Sequence, residues 1–174
     1  MTPIQRHAIP LLLLNSKEED ITSPTTVGLL DLMAAAQTGS GKTLAYLLPT
    51  LSRMMSTYPA EAMNALADSK YTVQYPTALI LAPTRELVNQ IRMEASKLCY
   101  RTYVRPVALF GGERPDRQVS EVGRGCHLTI ATPGRLLDFL DRQVLNLSHC
   151  SYLIMMTENK KNDGPIPNNS LIVY

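Results

Sequence analysis

Ala36-Gln37-Thr38-Gly39-Ser40-Gly41-Lys42-Thr43 carries the densest chemistry in the chain. Glycines free a backbone to turn its N–H groups toward one centre, which is how a loop cradles phosphate oxygens, and a helix starting there adds its positive end. Lys42 is spaced to reach the outer phosphates of a polyphosphate, and the Thr43 hydroxyl to take one position on Mg2+. The usual phosphate-loop pattern has Gly where this chain has Ala36. A Gly-rich strand–helix turn without a ligand would share the glycines but would not need the Lys-Thr pair. The loop is read as a triphosphate site.

Such a loop works only between a strand and a helix. Residues 29–35 supply an apolar run before it, and 42–55 a helix after it. Leu44, Leu47, Leu48 and Leu51 fall at i, i+3, i+4, i+7, the spacing of one buried face. Pro49 is expected to kink that helix or shorten its regular part. Further strand-length apolar runs follow at 77–82, 107–110, 127–131 and 152–156. Between them lie a helix over 85–99 with Leu87, Ile91, Ala95 and Leu98 in a stripe, and a polar helix near 115–122. Thr132-Pro133-Gly134 opens another helix, with Leu136, Leu137 and Leu140 expected to face inward. Short strands that are apolar throughout and separated by helices define a parallel sheet covered on both faces, a three-layer α/β architecture.

The expected domain spans 1–156 and begins with a helix over 2–14. The polar stretch 15–28 reads as a surface insertion, and residues 157–174 as a disordered tail. With no strand expected after the fifth, a sheet edge and apolar faces should be left uncovered, inviting aggregation.

Composition excludes several classes. In 174 residues, 45% are apolar and 18% charged, unlike disordered, collagen-like or coiled-coil chains. No apolar run approaches the roughly 18 residues of a membrane span. A net charge of +2 gives no broad electropositive field, so nucleic acid would have to be held by local contacts. Cys99, Cys126 and Cys150 show no metal or redox spacing and read as reduced, mostly buried thiols. Arg6 and His7 before 8–14 mimic a secretion signal, but Lys17, Glu18, Glu19 and Asp20 follow where none belongs. An intracellular location, cytoplasmic or nuclear, is expected.

The phosphate loop, Pro83-Thr84-Arg85-Glu86-Leu87, Gly111-Gly112 and Thr132-Pro133-Gly134-Arg135 occur in that order. Together they closely resemble the first RecA-like domain of the DEAD-box RNA helicases, over about 2–14 and 29–155. The stretches 97–106 and 124–140 look most like the Ded1 and PL10 subgroup. The resemblance implies ATP and Mg2+ as cofactors and RNA as partner, with Gln5, in Thr2-Pro3-Ile4-Gln5, reading the adenine edge. Ala36 to Thr43 would bind ATP, with Lys42 and Thr43 as the catalytic residues and Thr43 on the metal. Pro83, Thr84, Arg85, Gly111, Gly112, Thr132, Pro133, Gly134 and Arg135 match motifs that hold the RNA sugar–phosphate backbone, contacts without base information.

Departures from the family pattern limit what this sequence is expected to do. The aromatic residue that stacks on adenine upstream of the glutamine has no counterpart, since the sequence starts at Met1. Where the family has Asp-Glu-Ala-Asp, this chain reads Met156, Thr157, Glu158 and Asn159. The first Asp holds Mg2+ through water and the Glu activates the attacking water; Met and Thr do neither. The Ser-Ala-Thr motif and the second RecA-like domain with its arginine finger are not in this sequence. Single groups of this kind are worth about 10³–10⁵ in rate, so the chain alone should neither hydrolyse ATP nor unwind RNA. Residues 15–28 and 157–174 look foreign to the domain, as altered splicing or a misread gene would produce. Two rivals stay open on sequence alone: a non-catalytic RNA- or protein-binding module derived from such a domain, and a different phosphate-loop enzyme such as a small-molecule kinase.

Overall fold

Along the strand Ala78–Leu81, Ala78 and Ile80 face one hydrophobic cluster and Leu79 the other, so the sheet is buried on both sides. The structure, a computed structural model, describes residues 1–14, 31–37, 39–57, 73–157 and 170–173. In chain order the elements are α1 (Pro3–Leu14), β1 (Leu32–Ala35), α2 (Lys42–Thr57), β2 (Ala78–Leu81), α3 (Arg85–Leu98), β3 (Pro106–Leu109), α4 (Pro115–Val122), β4 (Leu128–Ala131), α5 (Pro133–Asp141), β5 (Tyr152–Met156) and β6 (Ser170–Val173). Leu12, Tyr46, Leu47, Met54 and Ile91 join Ile80 beneath α1, α2 and α3. Leu136 and Phe139 join Leu79 and Leu109 on the opposite face, under α4 and α5. Each fully buried side chain of this size is worth about 1.5–3 kcal/mol. The three-layer expectation is met.

The sheet order is β1-β6-β5-β2-β4-β3. Strands β5, β2, β4 and β3 are parallel neighbours, with Ala78 opposite both Leu128 and Tyr152. β6 is the correction to an all-parallel sheet ending at its fifth strand. It runs antiparallel to both neighbours, with Ile172 opposite Met33 of β1 and Met155 of β5. The patternless tail expected over 157–174 therefore does not extend to 170–173, and the β5 edge expected to be bare is paired. Leu171-Ile172-Val173 is itself a short apolar run with two β-branched residues, a signal masked by the polar residues before it. The insertion expected at 15–28 lies outside the described residues.

Smaller corrections concern helix faces. α2 continues past Pro49 to Thr57. Leu48 points to solvent, and Tyr46 takes the buried place the leucine stripe had assigned to it. In α5, Leu137 is exposed and Phe139 is buried with Leu136.

All three cysteines are free. Burial pushes the Cys126 thiol up from 9.0 to about 12 and the Cys99 thiol up to about 11. Both are neutral when folded and would ionise near pH 9 when unfolded, so their stabilising contribution is complete below pH 9. It is lost as pH rises through the window from 9 to about 12. The urea midpoint of the full chain is therefore expected to fall between pH 8 and pH 10.5. A midpoint that rises over that interval would contradict the burial of these thiols.

Candidate functional site

β1 ends at Ala35 and α2 begins at Lys42, so the intervening loop must reverse within a few residues. It does so with Gly39 at φ +79° and Gly41 at φ +88°, conformations that side-chain-bearing residues rarely adopt. Gly41 is constrained twice. A Cβ there would lie 2.5 Å from Gln5 Nε2 and 3.0 Å from Thr2 Oγ1. The α1 helix docks on α2 and carries Gln5 onto the loop, where Nε2 donates to Gly41 O at 3.2 Å. Gln5 Oε1 accepts from Thr2 N at 3.1 Å, which fixes the amide's orientation.

Lys42 is buried, and its Nζ donates to the carbonyls of Ala36 and of Gln37, the latter at 2.8 Å. Burial lowers its pKa, so an anion brought to this ammonium would favour its charged form. The Ser40 hydroxyl is buried in the same loop without a hydrogen-bond partner among the described residues. Thr38 lies outside the described residues.

The loop forms one wall of a cavity of about 590 Å3. Gly39, Gly41, Lys42 and Thr43 line one side, and Met156 and Thr157, at the end of β5, line another. Residues 156 and 157 arrive opposite the phosphate loop, and neither carries a carboxylate. Glu158 and Asn159 lie outside the described residues. The third wall was not anticipated. Leu87, Gln90 and Glu94 of α3 reach the cavity from one face of the helix, at i, i+3 and i+7. That spacing was the available signal. Glu94 accepts from Lys97 Nζ at 2.6 Å. Among the described residues no cluster of three His, Cys, Asp or Glu side chains is disposed to hold a metal.

A second constellation sits at the carboxyl ends of β2, β4 and β3. Because β4 lies between β2 and β3, the loops after these strands become neighbours in space. Open α/β sheets bind ligands along that edge. Thr84 caps α3, its Oγ1 accepting from Leu87 N at 3.3 Å. The half-exposed Arg85 stacks over the Phe110 ring, 4.9 Å from its centroid, and its Nη2 lies 3.4 Å from Glu113 Oε1. Gly112 has φ +84°, and a Cβ on it would press to 3.3 Å from Arg85 Nη1. Thr132 is the N-cap of α5, with Pro133 in its first turn and no side-chain cap bond, which leaves its hydroxyl and the first helical N–H groups to other acceptors. Pro83, Gly111 and Gly134 are exposed at the same edge.

Arg135 is more enclosed than an isolated surface arginine would be. Its side chain is 10% exposed, and its Nη2 donates to Glu113 O at 3.0 Å. Glu113 thus joins both arginines, through its carboxylate to Arg85 and its carbonyl to Arg135. Sequence reasoning missed it, although it directly follows Gly111-Gly112.

The sequence model of the DEAD/DEAH box helicase family matches residues 2–155, and the chain belongs to that family. Among solved structures it is similar to the yeast DEAD-box splicing factor Prp28, at 32% identity and a TM-score of 0.69, covering 89% of this chain and 32% of that one. It is similar also to the RNA helicase Prp28 of Chaetomium thermophilum bound to ADP, at 39% identity and a TM-score of 0.67, again over 89% of this chain and 32% of that one. A hypothetical ATP-dependent RNA helicase of Sulfolobus tokodaii matches at 26% identity and a TM-score of 0.62, over 88% and 36% of the two chains. This chain spans about a third of the length of these relatives. No helix among the described residues is long and apolar enough to cross a membrane.

Proposed function

We propose that residues 1–156 are the ATP- and RNA-binding first RecA-like domain of a DEAD-box RNA helicase, with 15–28 as an insertion, and that this chain binds both ligands without turnover. Membership of the Ded1 and PL10 subgroup is part of the proposal and is supported by the stretches 97–106 and 124–140. One observation carries it. Lys42, Thr43 and the positive-φ glycines face the end of β5 across a single cavity.

In that cavity the Lys42 Nζ exchanges the Ala36 and Gln37 carbonyls for phosphate oxygens, while loop and α2 N–H groups supply further donors. Gln5 keeps one amide hydrogen and one oxygen lone pair beyond its bonds to Gly41 and Thr2, the pair an adenine edge requires. Mg2+ would be held by the Thr43 hydroxyl and the nucleotide's own phosphates, since Met156 and Thr157 offer no carboxylate. With no carboxylate at 156 or 157 to activate water, the γ-phosphate should stay in place. RNA would lie along the β2–β4–β3 edge, its phosphates meeting Arg85, Arg135 and the N–H groups that open α3 and α5. Free thiols at Cys99, Cys126 and Cys150 accord with an intracellular compartment.

RNA-stimulated ATPase measured on the full chain beside Lys42→Ala tests the inactive part. Phosphate release should equal that of the variant at every RNA concentration. Turnover that Lys42→Ala abolishes would mean that another residue activates water, and would overturn the non-catalytic proposal.

A further inference from the structure

Gln118 is 3% exposed, on a helix whose Asp116, Arg117 and Ser120 are open to solvent. Its Nε2 donates to Phe110 O at 3.0 Å, and its Oε1 accepts from Phe110 N at 3.3 Å. The same Oε1 accepts from Arg135 Nη1 at 3.2 Å. Phe110 immediately precedes the Gly111-Gly112 turn, and Glu113, whose carbonyl Arg135 also holds, immediately follows it. Hydrogen bonds therefore close a ring around the turn, with Gln118 at its start and Arg135 at its end. Arg85 is seated on the same two residues, over the Phe110 ring and against the Glu113 carboxylate.

We propose that Gln118 is a positioning residue for RNA-backbone binding. It fixes the Gly111-Gly112 turn and, through Phe110 and Arg135, the orientation of both arginines, without contacting RNA itself. This rests on the RNA part of the function proposed above. An apolar side chain at 118 would leave the buried Phe110 N–H and C=O without partners and release Arg135 from one anchor. Arginines freed in this way must be ordered again when they meet phosphates, at a cost in affinity.

Anisotropy of a fluorescein-labelled oligouridine, titrated with the full chain over a salt series, tests this, with fluorescent ADP as a second readout. Gln118→Leu should weaken RNA binding about tenfold, the scale of a hydrogen bond to a charged group. It should also lower the dependence of log affinity on log salt by about one contact. ADP affinity should match that of the unsubstituted chain. Combining Gln118→Leu with Arg135→Ala should cost less than the sum of the two single losses, because part of the glutamine's effect passes through Arg135. Gln118→Glu keeps the size and the acceptor but loses the donor to Phe110 O, so it too should weaken RNA binding. It decides the question if the leucine variant fails to fold. Undiminished RNA affinity in Gln118→Glu, or additive losses in the double variant, would overturn the positioning role while Arg85→Ala still loses RNA. If Arg85→Ala and Arg135→Ala both bind RNA normally, the RNA proposal itself falls.

Discussion

Lys42→Ala is expected to reduce the affinity of the chain for ADP by at least about thirtyfold. The side chain is buried, and its donors already lie on the Ala36 and Gln37 carbonyls of the same loop. Truncating one partner of a buried charge pair typically costs about 2–5 kcal/mol, and about 1.4 kcal/mol is a factor of ten. The alternative is that Lys42 is only a structural clamp on Ala36 and Gln37. In that case the variant would lose stability but keep its nucleotide affinity. Measuring ADP binding below the melting range, on protein whose circular dichroism matches the parent, separates the two. Unchanged affinity in folded Lys42→Ala would leave the clamp as the whole of its role.

Ile172→Pro should be nearly as damaging, from a position remote in sequence. β1 leads into the phosphate loop, and β6 is its sheet partner among the described residues. β6 also pairs with β5, whose end forms another wall of the cavity. A proline in a strand paired on both sides removes a ladder donor and leaves the facing carbonyl unpaired, at a cost of about 1–3 kcal/mol. β1 should then separate from β5, with ADP affinity falling at least about tenfold and the thermal midpoint dropping with it. A variant with parental melting and parental ADP affinity would show that β6 does not hold the loop strand in place.

Most of this architecture was legible because each element carries a one-dimensional signal. Apolar runs at 77–82, 127–131 and 152–156 needed no tertiary information to be recognised as buried strands, and the glycines at 39 and 41 announced their positive φ. Sequence reasoning failed where burial depends on neighbours. Leu48 and Leu137 have the right type and spacing, yet helix rotation against the sheet turns them outward and takes Tyr46 and Phe139 inward. Glu113 and Gln118 escaped for the opposite reason. Polar residues read as solvated until the neighbouring Gly111-Gly112 turn shows what they hold. β6 was hidden because a four-residue run has no partner until β1 and β5 present their edges.

Isothermal titration of the full chain with ADP in the presence of Mg2+ tests nucleotide binding most directly. One saturable site should appear, competed by ATP and lost in Lys42→Ala. Heats no larger than dilution, with protein that melts cooperatively in the same buffer, would contradict it.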